Sequence, residues 1–389
     1  MFGAKEKADV VAVADIGSGS ASVAIMRVSK SGASVVLTQH RTELPFEKRT
    51  EAQTTVQIIV ALADAAHKAH AAYQKTMNAP VRALYVIVRG PWAQTSIFEG
   101  KESFDHDTKI TESVLDAIGQ KAVVSQESDN ESSFEKTIVK VELNGYPTAT
   151  PLRKEARFLR LAVLESRVYS DFKSAAEHTL GVAFPGTPAA WRSHTRALLA
   201  LLSLVAPRLA VSSPHIDARN CFVVDVSSTA TSLITIRKDV AVAQEELALG
   251  SVSVAQKIAG DNLPEETLAL LQTLESDACS TQECERLTKA LALAEPEFTR
   301  TFGEVFAKMA AQRRLPNTLF LIAHENLLPW LSQFFARIDF APFSTTTLPF
   351  SVVPLTAKDL GHEVISAGTF DDTSLAIACA LVHTEASRV

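Results

Sequence analysis

The sequence has few cysteines, no excess of positive charge and no long apolar run, and each shortage excludes a class of protein. The formal net charge of −6 gives no electrostatic support for nucleic-acid binding. The longest apolar stretch, residues 197–206, is far shorter than the roughly 18 residues that a membrane helix needs. The N-terminal residues contain no apolar signal-peptide core, so we expect a cytoplasmic protein.

The scarcity of cysteine also bears on metal binding and redox state. The four cysteines are Cys221, Cys279, Cys284 and Cys379, and no two pairs of them have the spacing of a zinc site. In a cytoplasmic protein this pattern predicts four reduced thiols.

At 389 residues the chain is long enough for two or more domains, and a repeated motif indicates how they are related. Residues 10–25 read VVAVADIGSGSASVAI: an apolar strand ends at Asp15, a turn of small residues follows, and a second apolar strand begins. Residues 221–236 read CFVVDVSSTATSLITI and place Asp225 in the same position. Two such hairpins, about two hundred residues apart, predict a duplicated unit.

Each hairpin turn has residues suited to an anionic ligand. Gly17 and Gly19 allow close approach of the backbone, and the serines add hydroxyl donors, so the first turn can cradle a phosphate. A carboxylate at the end of each strand, Asp15 or Asp225, can hold Mg²⁺ through water. The alternative stays open that each Asp only caps the turn of an ordinary hairpin.

The paired hairpins resemble those of the actin-like ATPase superfamily, whose two half-domains each open with a phosphate-binding hairpin. Asp15-Ile16-Gly17 is similar to the first phosphate motif, and residues 225–231 are similar to the second in outline. The resemblance implies an α/β fold of two actin-like (ribonuclease H-like) half-domains, with ATP and Mg²⁺ as cofactors and Asp15 and Asp225 as metal ligands and, if the site is active, as catalytic residues. The nucleotide-binding residues that it implies are Asp15, Gly17, Ser18, Gly19, Ser20, Asp225, Ser227, Ser228, Thr229, Gly250, Ala323 and His324.

Residues 80–180 resemble an inserted α+β subdomain of the SHS2 type, as in the bacterial cell-division protein FtsA. The similar phrases are VRALYVIVRGPWAQTSI, KITESVLDAI and the turn Asn144-Gly145. The pilus-assembly protein PilM has a related insert. The implied organisation is a first half-domain at 1–79 plus 181–215, the insert at 80–180, and a second half at 216–389 with a helical subdomain at about 260–316. We also expect a polar loop at 125–135 and a helix at 189–206.

The chain departs from the family where the ligand would be held. Ser227, Ser228 and Thr229 stand in place of glycines in the second phosphate motif. Ala323 and His324 replace the Gly-Gly of the adenosine loop, and Glu325 adds a negative charge beside it. Side chains at these positions restrict the backbone and crowd the ligand. The sequence therefore predicts weak or degenerate nucleotide binding and no efficient enzyme.

Three functions follow from the resemblance. The first is an FtsA-like scaffold in cell division, whose partner is an FtsZ-like filament protein. The alternatives are a PilM-like platform for a type IV pilus or secretion machine, whose partner is a bitopic membrane protein, and an active ATPase. Self-association is left open. The last residues contain no basic amphipathic stretch, so we expect no direct membrane anchor and recruitment to the inner face of the membrane by a partner. The insert is expected to carry the main partner surface, with free strand edges at 81–97 and 158–163.

Overall fold

The computed structural model describes residues 9–47, 49–77, 79–123, 130–213, 215–275, 280–339, 343–344, 350–366 and 368–386. In chain order its elements are β1 (Val10–Ile16), β2 (Ser20–Arg27), β3 (Ser34–Glu43), α1 (Glu51–Thr76), β4 (Ala83–Val88), β5 (Ala93–Lys109), α2 (Glu112–Ala122), β6 (Glu131–Leu143), β7 (Tyr146–Pro147), β8 (Glu155–Tyr169), α3 (Ser170–Ala183), β9 (Ala189–Ser193), α4 (His194–Ser212), β10 (Cys221–Val226), β11 (Thr231–Arg237), β12 (Val240–Leu247), α5 (Ser251–Ala259), α6 (Pro264–Glu275), α7 (Thr281–Gln312), β13 (Thr318–Ile322), α8 (Leu328–Arg337), β14 (Ser351–Pro354), β15 (Val364–Ser366) and α9 (Thr373–Ala386).

Two of the sheets repeat one arrangement. The first has the order β15-β3-β2-β1-β4-β9, and the second has the order β12-β11-β10-β13-β14. In each, three antiparallel strands are followed by strands parallel to the first of them, β4 and β9 or β13 and β14. The hairpin registers also agree, because Asp15 faces Ser22 and Asp225 faces Ser232. The duplication predicted from the two hairpins is confirmed.

Local sequence explains where several strands and helices form, and their apolar faces explain how they pack. β1 is buried along its whole length, as expected for the apolar run of a central strand. Thr50 with Gln53, and Ser280 with Glu283, form capping boxes at the starts of α1 and α7. The α4 and α9 helices pack together and share one apolar cluster with both sheets, so they join the two halves. Helices α5 to α8 pack on the second sheet, while α1 and α3 pack on the first.

The third sheet has the order β5-β8-β6-β7 and carries α2 on one face. Thr111, which lies in the phrase KITESVLDAI, caps α2. β4 was expected in this insert, but it pairs with β1 and β9 in the first sheet. We therefore propose narrower bounds for the insert, residues 93–169. The expected free edge at 158–163 is wrong, because β8 lies between β5 and β6 and is paired on both sides.

Three further expectations need correction. Residues 189–193 are a strand, β9, and the helix begins only at His194, because Ser193 caps its first turn. The expected polar loop at 125–135 ends early, since β6 begins at Glu131; residues 124–129 lie outside the described part. Cys221 and Cys379 are free and buried, but Cys284 is disulfide-bonded, so the prediction of four reduced thiols is wrong. Cys279 lies outside the described residues.

In the part of the chain that the structure describes, none of the helices combines the length and the apolar character that a membrane span requires.

Candidate functional site

The two Asp-ended hairpins line one cleft between the half-domains. Asp15 on β1 and Asp225 on β10 are 3% and 2% exposed. Of the twelve predicted nucleotide-binding residues, ten line this cleft, whereas Thr229 and Gly250 do not. The structure therefore brings most of the predicted residues together around two buried carboxylates.

A residue that the sequence analysis did not single out, Arg89, lies between these carboxylates. Its Nη2 is 3.2 Å from both carboxylate oxygens of Asp15, and its Nη1 is 3.5 Å from Oδ2 of Asp225. Burial opposes the charge of Arg89, but the two carboxylates outweigh it and raise the pKa of the guanidinium. A permanent cation thus stands where the sequence predicted Mg²⁺.

His194, the first residue of α4, is the second unpredicted neighbour. Its Nε2 lies 2.9 Å from Oδ2 of Asp225. Burial alone would raise the pKa of Asp225, but His194 and then Arg89 lower it below its ordinary value. Asp225 is therefore held as a carboxylate by Arg89, which follows β4, and by His194 of α4.

The two hairpin turns touch each other. The backbone N–H of Thr229 donates to Oγ of Ser18 at 3.1 Å, and the hydroxyls of Ser18 and Ser227 are 3.4 Å apart. A Cβ added to Gly19 would lie 2.3 Å from Cβ of Ser228, so the close approach needs glycine. A phosphate between two hairpins requires that space, and here protein atoms fill it.

The backbone amides of these turns are also engaged within the protein. The N–H of Gly17 donates to the Ser20 carbonyl at 3.0 Å, and the N–H of Ser227 donates to the Ala230 carbonyl at 2.9 Å. The backbone amides at the start of a helix can bind an anion when they are free. At the start of α5, however, the N–H of Ser251 donates to the Ser227 carbonyl at 2.8 Å. A Cβ on Gly250 would lie 2.3 Å from the carbonyl oxygen of Ser228, which places the turn directly against this helix start.

The loop after β13 closes a third side of the cleft. The ring of His324 packs edge-on against Phe46, with 5.7 Å between the ring centroids. Burial lowers the pKa of His324, an effect that Glu43 opposes and Arg41 reinforces. A neutral His324 therefore takes up space where the resemblance to actin-like ATPases implies a glycine, and Ala323 and Glu325 line the same cleft.

The fourth side is an ion pair that the sequence analysis also missed. Nη1 of Arg41 lies 2.8 Å from Oδ1 of Asp372, and the hydroxyl of Ser22 donates to Oδ2 of Asp372. Asp372 also accepts the N–H of Leu375 at the start of α9. Burial raises the pKa of Asp372, but Arg41, Ser22 and Leu375 together lower it. This contact ties β2 and β3 to α9 beside the first hairpin.

These contacts decide whether Mg²⁺ and a nucleotide fit the residues present. The remaining cavity is about 240 Å³, below the roughly 300–1,000 Å³ of typical small-molecule sites. Among the described residues, no three His, Cys, Asp or Glu side chains are grouped as metal ligands. In the arrangement observed, Arg89 excludes the metal and the joined turns exclude the phosphates, so the group does not fit.

Comparison with solved structures identifies the fold. A PilM–PilN type IV pilus biogenesis complex contains a chain that is similar over 95% of this chain and 97% of its own, at 13% identity and a TM-score of 0.55. The chain has the actin-like fold. The ethanolamine utilization protein EutJ from Carboxydothermus hydrogenoformans is less similar to this actin-like protein. It matches at 10% identity over 96% of this chain and 89% of its own, with a TM-score of 0.44.

A Bacteroides thetaiotaomicron protein with an actin-like ATPase fold and unknown function matches at 8% identity over 97% and 98% of the two chains, with a TM-score of 0.39. No protein-family model matches the chain, and a search of curated proteins gives no match. At these identities the likeness establishes the fold alone.

Of the residues that the sequence analysis missed, Arg89 has a signal that could have found it. Arg89 follows β4 directly, and β4 runs parallel to β1, so the carboxyl ends of both strands meet at one edge of the sheet. A polar residue after either strand therefore belongs to the same cleft. The signal depends on knowing that β4 pairs with β1, which the assignment of β4 to the insert obscured.

Proposed function

We propose that this actin-like protein is a non-catalytic platform that binds a protein partner, of the PilM kind in type IV pilus or secretion assembly. The observation that carries the proposal is Arg89, whose guanidinium bridges Asp15 and Asp225 in the place of a metal ion. The buried guanidinium already compensates the charge of both carboxylates, so they do not hold Mg²⁺. Without that ion, the site has no metal to polarise a phosphate. An active ATPase is the least supported of the three functions.

The choice of partner class is supported by the comparison. The chain that covers nearly all of this protein is one component of a PilM–PilN complex. We therefore propose a segment of a bitopic membrane protein as the partner, which would bring this protein to the cytoplasmic face of the membrane. An FtsA-like scaffold is the second candidate, because the phrase KITESVLDAI, which contains the cap and first turns of α2, resembles FtsA.

The test uses two defined partners from the same genome. The full chain is immobilised and offered either the cytoplasmic segment of the bitopic pilus-assembly protein or the FtsZ-type filament protein. We expect binding of the first and not of the second; the reverse result would support the cell-division role, and binding of neither would refute both.

Calorimetry with Mg²⁺–ATP tests the non-catalytic part of the proposal. Two lost contact regions at about 1–3 kcal/mol each, or about 4 kcal/mol together at the centre of that range, would weaken a typical micromolar site about a thousandfold, to a dissociation constant of about 1 mM. Saturable micromolar binding would show that the cleft opens for nucleotide and that the protein is not a pure platform.

A further inference from the structure

A second cleft, here called the basic cleft, lies between the insert and the second half-domain. Its volume is about 500 Å³, within the roughly 300–1,000 Å³ of ligand sites. None of its lining residues lines the cleft around Arg89. One wall is the face of the insert sheet formed by β5, β6 and β8, and the other is the β11–β12 hairpin with the end of α7.

The basic cleft carries an excess of positive charge. Five cationic side chains line it against two carboxylates, and they are Lys140, Arg160, Arg237, Lys238 and Arg313 against Glu99 and Glu142. Both carboxylates are already paired, Glu99 with Lys101 and Arg160, and Glu142 with Lys140 and Arg160. The surplus therefore lies on the wall formed by the second half-domain.

Three of these cations, Arg237, Lys238 and Arg313, form no ion pair among the described residues. Nη2 of Arg237 donates to the Arg314 carbonyl, whereas its buried Nε has no hydrogen-bond partner among the described residues. Burial and then the charge of Arg313 lower the pKa of Arg237, while Asp217 opposes them. Two guanidinium groups held near each other in this way favour an anionic ligand.

The shape of the cleft suits an extended chain. β12 is an edge strand of the second sheet and β5 is an edge strand of the insert sheet, and both line the cleft. Val242 on β12 is 43% exposed there. An extended peptide could pair with such an edge while its alternate side chains face the cleft walls.

We propose that the basic cleft binds an extended acidic segment of a protein partner, whose carboxylates contact Arg237 and Arg313 and whose apolar side chain contacts Val242. The inference rests on the proposed function as a partner-binding platform. Nζ of Lys140 donates to the Lys238 carbonyl at 2.6 Å and joins the two walls at one point. A bound segment would add contacts between these walls and fix the insert against the second half-domain.

The test is fluorescence anisotropy of the full chain with a short labelled peptide of alternating Glu and Val. We expect saturable binding that weakens with added salt and falls about tenfold or more in Arg313→Glu, a loss of about 1.4 kcal/mol. Arg300→Glu is the control, because Arg300 is an exposed arginine of α7, the helix that Arg313 caps, and lies outside the cleft. Val242→Asp should also weaken binding, and a Lys–Val peptide should not bind.

The absence of saturable binding, or an equal loss in Arg313→Glu and Arg300→Glu, would overturn the assignment. Both arginines are exposed, so unchanged thermal melting checks that the variants are folded. If the bitopic partner still binds an Arg313→Glu chain as tightly as the unmodified chain, the platform function stands and the basic cleft assignment fails. If the peptide binds as expected but neither defined partner does, the platform function fails and the cleft assignment stands.

Discussion

Arg89 and Asp225 belong to different half-domains, yet the guanidinium Nη1 lies 3.5 Å from the carboxylate Oδ2 at the centre of the cleft. The same guanidinium contacts Asp15 of the first half-domain, so one side chain joins the two duplicated hairpins. Because all three groups are buried, each charge depends on the others for compensation. The buried charges at the centre of the cleft therefore hold the two half-domains together.

Replacing Arg89 with Ala should destabilise the protein and create a response to metal. Removal of one partner from a buried ion pair typically costs about 3–5 kcal/mol, and here two carboxylates would lose their cation. We expect a lower melting temperature that millimolar Mg²⁺ partly restores in Arg89→Ala but does not change in the unmodified chain. Arg82→Ala, an exposed arginine paired with Asp9, is the control. A variant that melts at the original temperature and ignores Mg²⁺ would contradict this account of Arg89.

Gly19→Ala should force the two hairpin turns apart. The added Cβ would lie 2.3 Å from Cβ of Ser228, and overpacking of this kind costs about 1–3 kcal/mol. Ser228→Gly in the same chain should recover most of that loss, because it removes the clashing atom. Urea denaturation of the two single variants and the double variant measures the coupling. Gly181→Ala, which meets nothing within 4 Å, is the control. Additive effects at Gly19 and Ser228 would mean that the turns do not touch in solution.

Glu135→Ala should loosen the insert from the rest of the protein. The Glu135 side chain is 1% exposed and accepts from the N–H of Ser193, the hydroxyl of Ser193 and Nη1 of Arg196 at 2.7 to 2.9 Å. Arg196 keeps its second carboxylate partner, Glu385, but the buried N–H and hydroxyl of Ser193 lose their acceptor, at a cost of about 1–3 kcal/mol. Limited proteolysis should then cut the insert faster than in Glu155→Ala, an exposed control on β8. Equal cleavage rates would show that other contacts hold the insert.

His324 should make stability depend on pH. Its folded pKa is lowered by burial, so the unfolded chain, with a His pKa of about 6.5, takes up the proton first as the pH falls. The stabilising contribution is therefore present above about pH 6.5 and is lost as the pH falls below it. Comparing urea denaturation at about pH 7.5 and 5.5, we expect a smaller loss in His324→Gln than in the unmodified chain. The exposed His178 supplies the control His178→Gln, and an identical pH dependence in both variants would count against this role.

The parts that sequence alone could predict are those with local causes. The hairpins at Asp15 and Asp225 are visible because apolar strands end at a carboxylate and a turn of small residues. α2 is visible from its cap, Thr111. Both features depend on residues within a few positions of each other, so a single window of sequence contains the cause.

The parts that could not be predicted depend on distant pairing. β9 is only five residues long and runs directly into α4, so its apolar residues continue the helical pattern. Glu135 reads as part of a polar loop, and it is buried only because Ser193 and Arg196 meet it from about sixty positions away. The position of Arg89 follows from the parallel pairing of β4 with β1, which no local pattern encodes.

The position of α9 has a consequence for the order in which the protein can assemble. This helix lies in the apolar cluster shared by both sheets, and β15, which completes the edge of the first sheet beside β3, also comes late in the chain. During synthesis the two sheets can begin to form as their strands emerge, but the contact between them is completed only when β15 and α9 have been made. Until then the apolar faces of α4 and both sheets stay exposed to water. The growing chain therefore depends on α9 to cover the apolar surface that the two sheets share with α4.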